Sequence, residues 1–168
     1  SLGLVGSEMC IRDRVHPAPP PPGTYSMTIS GYDIENDVLS EMILYFEVPI
    51  LADANVQLLN EQILVSPLEQ TKTQITIVND GNGAQSYDVE LVSPAGWHLG
   101  LDSIGTFEGS SHGSTGTLQK GSSKTVDITI NSPGAMIPSG TTFEAAIIVH
   151  SRVSSASWAP NIPSLIHI

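Results

Sequence analysis

Apolar and polar residues alternate along most of this chain, most clearly on either side of residues 79–83, which read Asn-Asp-Gly-Asn-Gly. Apolar side chains occupy every second position in both flanking segments, at Ile75, Ile77, Tyr87, Val89 and Leu91. Such alternation gives a strand one apolar and one polar face. The pattern predicts two strands of a half-buried antiparallel sheet, joined by a tight loop in which Gly81 and Gly83 accept positive φ angles.

The same alternation predicts strands in many other places, and no segment shows the 3.6-residue periodicity of a helix. The further segments are residues 24–30, 41–48, 56–59, 62–65, 97–101, 124–130, 141–151 and 164–168. They are separated by turns rich in glycine, proline and asparagine. The chain is therefore predicted to be all-β and largely antiparallel.

One long segment lacks the alternating pattern. Residues 103–119 are rich in glycine, serine and threonine. Small polar side chains bury little apolar area, so this segment is predicted to be a mobile surface loop. It is also the first place to look for an added binding site.

The first 22 residues of the chain differ from the rest in composition. Residues 4–14 resemble a translated sequencing adapter, so residues 1–14 are interpreted as an artefact and left out of the fold prediction. The single cysteine, Cys10, belongs to this segment, so the remaining chain can form no disulfide. Residues 15–22 contain five prolines and are predicted to be an extended linker.

A weak internal repeat with an offset of 117 residues links the two ends of the chain. Gly23-Thr24 corresponds to Gly140-Thr141, and residues 42–48 fall on residues 159–165. The repeat predicts that residues 23–54 are the C-terminal strands of a preceding repeat. Residues 55–168 would then form the next unit, truncated in its last strand. The two-strand remnant is expected to pair with this unit or pack on its edge.

The span from Glu61 to Ser151 resembles the CARDB-like and related immunoglobulin-like repeats of archaeal and bacterial surface proteins. The resemblance rests on residues 76–83 (Thr-Ile-Val-Asn-Asp-Gly-Asn-Gly), 87–89 (Tyr-Asp-Val), 93–97 (Ser-Pro-Ala-Gly-Trp), 119–126 (Gln-Lys-Gly-Ser-Ser-Lys-Thr-Val) and 139–141 (Ser-Gly-Thr). It implies an immunoglobulin-like antiparallel β-sandwich of about seven strands. The long Gly/Ser segment departs from the family pattern.

The charge balance is strongly acidic and narrows the choice of partners. Asp and Glu number 17 against 6 Lys and Arg, for a formal net charge of −11. Such a surface repels phosphate backbones, so neither nucleic-acid binding nor attraction to anionic membranes is expected. There is no run of 18 or more apolar residues, so membrane insertion is not expected either. Adaptation to salt or to divalent cations is an alternative reason for the charge.

Candidate catalytic and metal-binding residues can be named, but none forms a recognisable motif. A zinc site would need His98, His112 and Asp102 to converge, although the five histidines lie far apart in sequence. A hydrolytic triad could be drawn from Ser111, His112 and Asp102, without the strand-to-helix turn that presents such a serine. The chain is therefore expected to be non-catalytic, with no cofactor and no metal among its site residues.

Two acidic clusters raise the question of calcium. Asp33, Glu35 and Asp37 form one, and Asp80 lies between Asn79 and Asn82 in the other, so oxygen ligands are locally dense. Neither run matches a twelve-residue calcium-binding loop. Side-chain hydrogen bonds within turns are the preferred explanation of both clusters, and the sequence leaves calcium binding open.

The two tryptophans suggest different roles. Trp97 shares a face with Leu99 and Leu101, which predicts that it covers one end of the core, where it could bury roughly 150–250 Å². Stacking on a sugar ring is the alternative. Trp158 lies in a loop-like segment and is the better candidate for an exposed aromatic residue.

Together these features predict a structural or adhesive repeat of a large secreted or cell-surface protein. Its partners would be neighbouring repeats of the same chain and, as a second class, a cell-surface protein or carbohydrate. The alternative is a carbohydrate-binding or accessory module attached to an extracellular enzyme.

Overall fold

The computed structural model describes residues 19–33, 38–60, 62–105, 107, 109–133, 137–138, 140–154, 157–158 and 164–167. The strands are β1 Gly23–Asp33, β2 Val38–Val48, β3 Ala54–Leu58, β4 Gln62–Leu64, β5 Gln70–Asn79, β6 Gln85–Val92, β7 His98–Leu101, β8 His112–Leu118, β9 Ser123–Asn131, β10 Thr142–Ser151, β11 Ser157–Trp158 and β12 Ser164–His167. The described residues hold no helix long and apolar enough to cross a membrane.

Ten of these strands, β3 to β12, build a sandwich of two sheets. One sheet has the order β3-β5-β9-β7, and the other has the order β4-β12-β10-β6-β8 with the short β11 also paired to β10. All pairs are antiparallel except β12 with β4. The predicted all-β antiparallel sandwich is confirmed, and β8 and β11 are the strands that the sequence pattern does not predict.

The core lies between the two sheets and follows the alternation of the sequence. The four-stranded sheet contributes Ile75, Ile77, Leu99, Leu101, Val126, Ile128 and Ile130, and the other sheet contributes Tyr87, Val89, Leu91, Ala145, Ile147 and Val149. Trp97 is buried at one end, with its ring centroid 5.1 Å from that of Phe143. Its predicted place over the core is confirmed. Trp158 lies in β11, opposite Val149, and not in the predicted loop, and the exposure of its side chain is outside what the structure describes.

The first two strands form a separate hairpin. β1 and β2 are paired along their whole length, from Gly23 opposite Val48 to Asp33 opposite Val38. Among the described strands they pair with no other, so the expected pairing with an edge of the sandwich is wrong. Among the described residues, the hairpin contacts the sandwich only near its base, through the residues just before β1 and just after β2.

The expectation of a mobile loop at residues 103–119 is wrong, because β8 lies within this segment. β8 pairs with β6, and Gly113, Thr115 and Leu118 are buried. A Cβ atom at Gly113 would lie 2.7 Å from the carbonyl carbon of Ile104, so only glycine lets the two backbones approach. The strand was missed because its burial depends on small residues rather than on an apolar pattern.

β5 and β6 do not form the hairpin that the sequence predicts. Each strand is present, but β5 belongs to the four-stranded sheet and β6 to the facing one. Residues 80–84 therefore cross from one sheet to the other. Gly81 and Gly83 do not have positive φ angles. At Gly81 glycine is needed for space, since a Cβ atom there would lie 2.6 Å from the carbonyl oxygen of Leu51.

Candidate functional site

The crossing between β5 and β6 is shaped by the side chain of Asn79, which is fully buried. Its amide nitrogen donates hydrogen bonds to the carbonyl oxygens of Gly83 and Leu118, both at 2.9 Å. Its Oδ1 accepts a hydrogen bond from the backbone N–H of Gly81 at 3.0 Å. Because buried polar groups must find partners, this carboxamide fixes the path of the crossing.

Asn82, three residues later, ties the base of the β1–β2 hairpin to the sandwich. Its Nδ2 donates to the carbonyl oxygens of Pro20, at 3.1 Å, and Pro49, at 2.9 Å. Its Oδ1 accepts from the backbone N–H of Leu51 at 2.8 Å. Pro20 precedes β1 and Pro49 follows β2, so one buried side chain holds the two ends of the hairpin together.

Neighbouring groups complete this contact. Gln85 Nε2 donates to the carbonyl oxygen of Leu51 at 2.8 Å, and Lys120 Nζ donates to that of Pro19 at 3.0 Å. A Cβ atom at Gly83 would lie 2.8 Å from Cγ of Pro22, so the proline ring packs directly on this glycine. We call Asn79, Asn82, Gln85 and Tyr87 the junction cluster.

Tyr87 is the titratable member of the junction cluster. Its side chain is fully buried, and its hydroxyl lies 2.7 Å from the carbonyl oxygen of Asp53 and 2.8 Å from Oδ1 of Asn79. Burial, followed by the negative charges of Asp53 and Asp80, raises the pKa of Tyr87 to about 12. The phenol is therefore held in its neutral, hydrogen-bonding form.

This pKa gives a prediction for alkaline pH. The neutral form is favoured in the folded chain, so its contribution is complete below the unfolded pKa of 10.0 and is lost as the pH rises towards 12. Between pH 9 and 11.5 we expect wild type to lose about 2 kcal/mol of unfolding free energy more than Tyr87→Phe does. Urea denaturation at both pH values measures this difference.

The control for this experiment is Tyr45→Phe, because Tyr45 is 68% exposed. This variant should follow wild type at both pH values. An equal loss of stability in wild type and Tyr87→Phe would contradict the assignment of the alkaline transition to Tyr87.

A second candidate site is a groove of about 320 Å³ on the outer face of β6, β8 and β10, with charged and histidine side chains in its lining. Glu90 lies at its centre, with one carboxylate oxygen 3.6 Å from Nε2 of His112 and the other 3.4 Å from Nε2 of His150. Arg152 contacts Asp88 beside them, with Nη2 2.8 Å from Oδ1, and this carboxylate raises the pKa of Arg152. We call this arrangement the outer groove.

The outer groove arises from the strand register. Glu90 on β6 lies opposite His112 on β8, and Asp88 lies opposite His150 on β10. These side chains are more than one-third exposed, so their cross-strand ion pairs contribute little to stability. Carboxylate, imidazole, guanidinium and hydroxyl groups together can hydrogen-bond a hydroxyl-rich ligand.

The structure separates the residues that the sequence suggested for catalysis or metal binding. Ser111 Oγ lies 2.9 Å from Nδ1 of His112, so these two do meet. Asp102 instead contacts Lys72, at 3.4 Å, and Thr129, both on the four-stranded sheet. Glu90 takes the place next to His112 that Asp102 was proposed to fill.

The acidic clusters likewise have different outcomes. The carboxamides of Asn79 and Asn82 hydrogen-bond to backbone groups, as expected for turn-forming side chains. Glu35 and Asp37 of the other cluster lie outside the described residues, so that suggestion is untested. Within the part of the chain that the structure describes, no group of three or more His, Cys, Asp or Glu side chains is arranged to hold a metal ion.

Sequence reasoning missed the most important polar residues of both sites. It treated Asn82 as a turn residue, and it gave no binding role to Gln85, Glu90 or His150. The buried position of Gln85 in the alternation of β6 was the available indication, since a polar residue at an inward position needs partners.

No protein-family model and no curated protein sequence matches this chain. Among solved structures, it is similar to a family 123 glycoside hydrolase from Clostridium perfringens, with 10% identity and a TM-score of 0.47 over 69% of this chain and 27% of that one. It is also similar to domains 4 and 5 of the S-layer protein SbsC, with 12% identity, a TM-score of 0.39 and coverage of 88% and 66%. A sporulation control protein from Bacillus subtilis has 16% identity, a TM-score of 0.39 and coverage of 70% and 49%. This chain thus spans between about one-quarter and two-thirds of the length of these three structures, and the likeness carries no argument about function.

Proposed function

We propose that this chain is a non-catalytic structural or adhesive repeat module of a large secreted or cell-surface protein, with neighbouring repeats of the same chain as its partners. The observation that carries the proposal is the contact of Asn82 with Pro20, Pro49 and Leu51. This buried side chain serves to hold a separate hairpin in one orientation on the sandwich.

A fixed orientation is what a structural repeat requires. Contacts between domains of one chain are often small and polar, and they leave the domains free to move. Here the contact is made by backbone groups on both sides of the hairpin, and two buried side chains, Asn82 and Gln85, converge on it. Such a built contact supports a module whose task is to set the geometry between consecutive units.

The composition supports the same proposal. The net charge of −11 disfavours nucleic-acid and membrane partners, and it favours solubility. The side chains of the junction cluster hydrogen-bond mainly to backbone groups, as expected for side chains that position the chain.

The experiment that tests the proposal is nuclear magnetic relaxation of backbone amides in the full chain. We expect the amides of β1 and β2 to show the same overall correlation time as those of β5 and β9. Independent, faster reorientation of the hairpin in the wild-type chain would overturn the proposal.

The outer groove supports a second candidate, a carbohydrate-binding or accessory module of an extracellular enzyme. The supporting observation is the set of hydrogen-bonding side chains around Glu90, His112 and His150. The chain prepared for the relaxation measurement can also be titrated with a panel of oligosaccharides. Saturable shifts of the Glu90, His112 and His150 amides would favour this candidate over the structural one, and the absence of any shift would favour the structural one.

A further inference from the structure

One face of the β1–β2 hairpin is almost entirely apolar. Residues opposite each other in the register share a face, and this one carries the pairs Tyr25 with Phe46, Met27 with Leu44, and Ile29 with Met42. The rings of Tyr25 and Phe46 are stacked with centroids 5.7 Å apart. The other face is mixed: Thr24, Ser26, Thr28 and Ser30 on β1 lie opposite Glu47, Tyr45, Ile43 and Glu41 on β2. We call the first surface the hairpin apolar face.

This apolar face is open to solvent in the structure. Met27 is 47% exposed, Leu44 is 46% exposed and Phe46 is 47% exposed. An isolated two-stranded hairpin is at best marginally stable in water, because its apolar face has nothing to pack against. An exposed apolar surface made of three neighbouring pairs of large side chains indicates an interaction surface.

The sandwich itself shows what such a face packs on. Tyr25, Met27 and Ile29 each lie 118 residues before Phe143, Ala145 and Ile147. Ala145 and Ile147 are buried in the core, and Phe143 packs against it. An offset of 118 residues therefore fits the structure better than the offset of 117 residues that the sequence suggests. At an offset of 117 residues, the polar side chains of β1 would match the inward positions of β10.

The likeness is confined to β1 and β10. Tyr25 lies opposite Phe46 and Met27 opposite Leu44 in the hairpin, whereas Ala145 on β10 lies opposite Ser164 on β12, so the apolar pairs of the hairpin are not repeated there. β1 therefore reproduces the apolar face of β10. In the sandwich, the ring of Phe143 contacts Trp97, and Ala145 and Ile147 line a small gap with Leu99, Ile128 and Ile130 of the facing sheet.

We propose that the hairpin apolar face packs on the inner face of a four-stranded sheet in a second sandwich of this kind, where β1 takes the place that β10 takes here. Tyr25 and Phe46 would lie against the tryptophan equivalent to Trp97, and the Thr24–Ser30 face would remain in solvent. The inference rests on the proposed repeat function and names its partner surface.

The test adds a partner sheet to the full chain by repeating residues 54–133 ahead of residue 15, with Cys10→Ser in every variant. Met27→Cys is labelled with a thiol reagent in the original and the extended chain. We expect labelling of Met27→Cys to be at least about tenfold slower in the extended chain. The matched control on the opposite face, Thr28→Cys, should be labelled at the same rate in both.

Three results would overturn the inference. Met27→Cys could be labelled equally fast in both chains, or the added segment could remain unprotected from hydrogen exchange although the hairpin is present. Protection of Met27→Cys in the original chain that grows with protein concentration would instead identify a second hairpin as the occupant. None of these results depends on the rigidity of the junction, so the proposed function is tested separately by relaxation.

Discussion

Replacing Asn82 by alanine is expected to lower the free energy of unfolding by about 3 kcal/mol and to release the β1–β2 hairpin from the sandwich. The variant leaves the backbone N–H of Leu51 and the carbonyl oxygens of Pro20 and Pro49 without this partner. Urea denaturation measures the first effect. Faster hydrogen exchange at Leu51 and at the base of β1 measures the second.

Two further variants separate the hydrogen bonds of Asn82 from the volume of its side chain. Asn82→Asp keeps the shape and an acceptor for Leu51 N–H but cannot donate to Pro20 or Pro49, so it should be destabilised to a similar extent. Asn60→Ala removes an exposed asparagine and should change stability by less than about 0.5 kcal/mol. An Asn82→Ala variant as stable as Asn60→Ala would show that the contact does not hold the hairpin.

Replacing Gly113 by alanine is expected to destabilise the chain by about 3 kcal/mol and to disrupt the pairing of β8 with β6. The new Cβ atom would lie 2.7 Å from the carbonyl carbon of Ile104 and 3.0 Å from the backbone nitrogen of Gly105. Both are backbone atoms, so neither can rotate away as a side chain would. Thermal or urea unfolding, together with hydrogen exchange at Val89 and Glu90, measures the outcome.

Gly31 provides the matched control for this substitution. It also lies in a strand, and a Cβ atom there has no neighbour within 4 Å. Gly31→Ala should be within about 0.5 kcal/mol of wild type. If Gly113→Ala behaves in the same way, β8 is not packed against the segment that contains Ile104.

The strands were largely predictable because most of them carry an apolar residue at every second position. β5, β6 and β9 follow this rule over their central residues, and each is predicted to within about two residues of its observed bounds. The rule fails for β8, whose seven residues include one large apolar side chain, Leu118. The burial of Gly113 depends on the approach of another backbone, which no local pattern records.

The assignment of strands to sheets was harder to predict than the strands themselves. The glycine-rich run between β5 and β6 looks like a hairpin turn, but the two strands lie in facing sheets. What decides between the two arrangements is where Asn79 and Asn82 find partners. Those partners include Leu118 and Pro49, which lie more than thirty residues away along the chain.

The two candidate sites could not be predicted for related reasons. Glu90, His112 and His150 come from three strands, and only the register of β6 with β8 and β10 brings them together. The sequence allowed Asp102 to be drawn as a partner of His112, and nothing local in the chain indicates Glu90 instead. The apolar face of the hairpin was visible in the alternation of β1, but its exposure was not.

The hold of Asn82 on both ends of the hairpin also bears on the mechanics of an array of such modules. Modules joined by flexible linkers form a chain whose end-to-end distance grows with roughly the square root of their number. When each junction instead fixes the direction of the next module, the distance grows almost in proportion to that number. A single buried carboxamide per repeat would then decide whether the protein stands away from a surface as a stiff rod or collapses onto it as a coil.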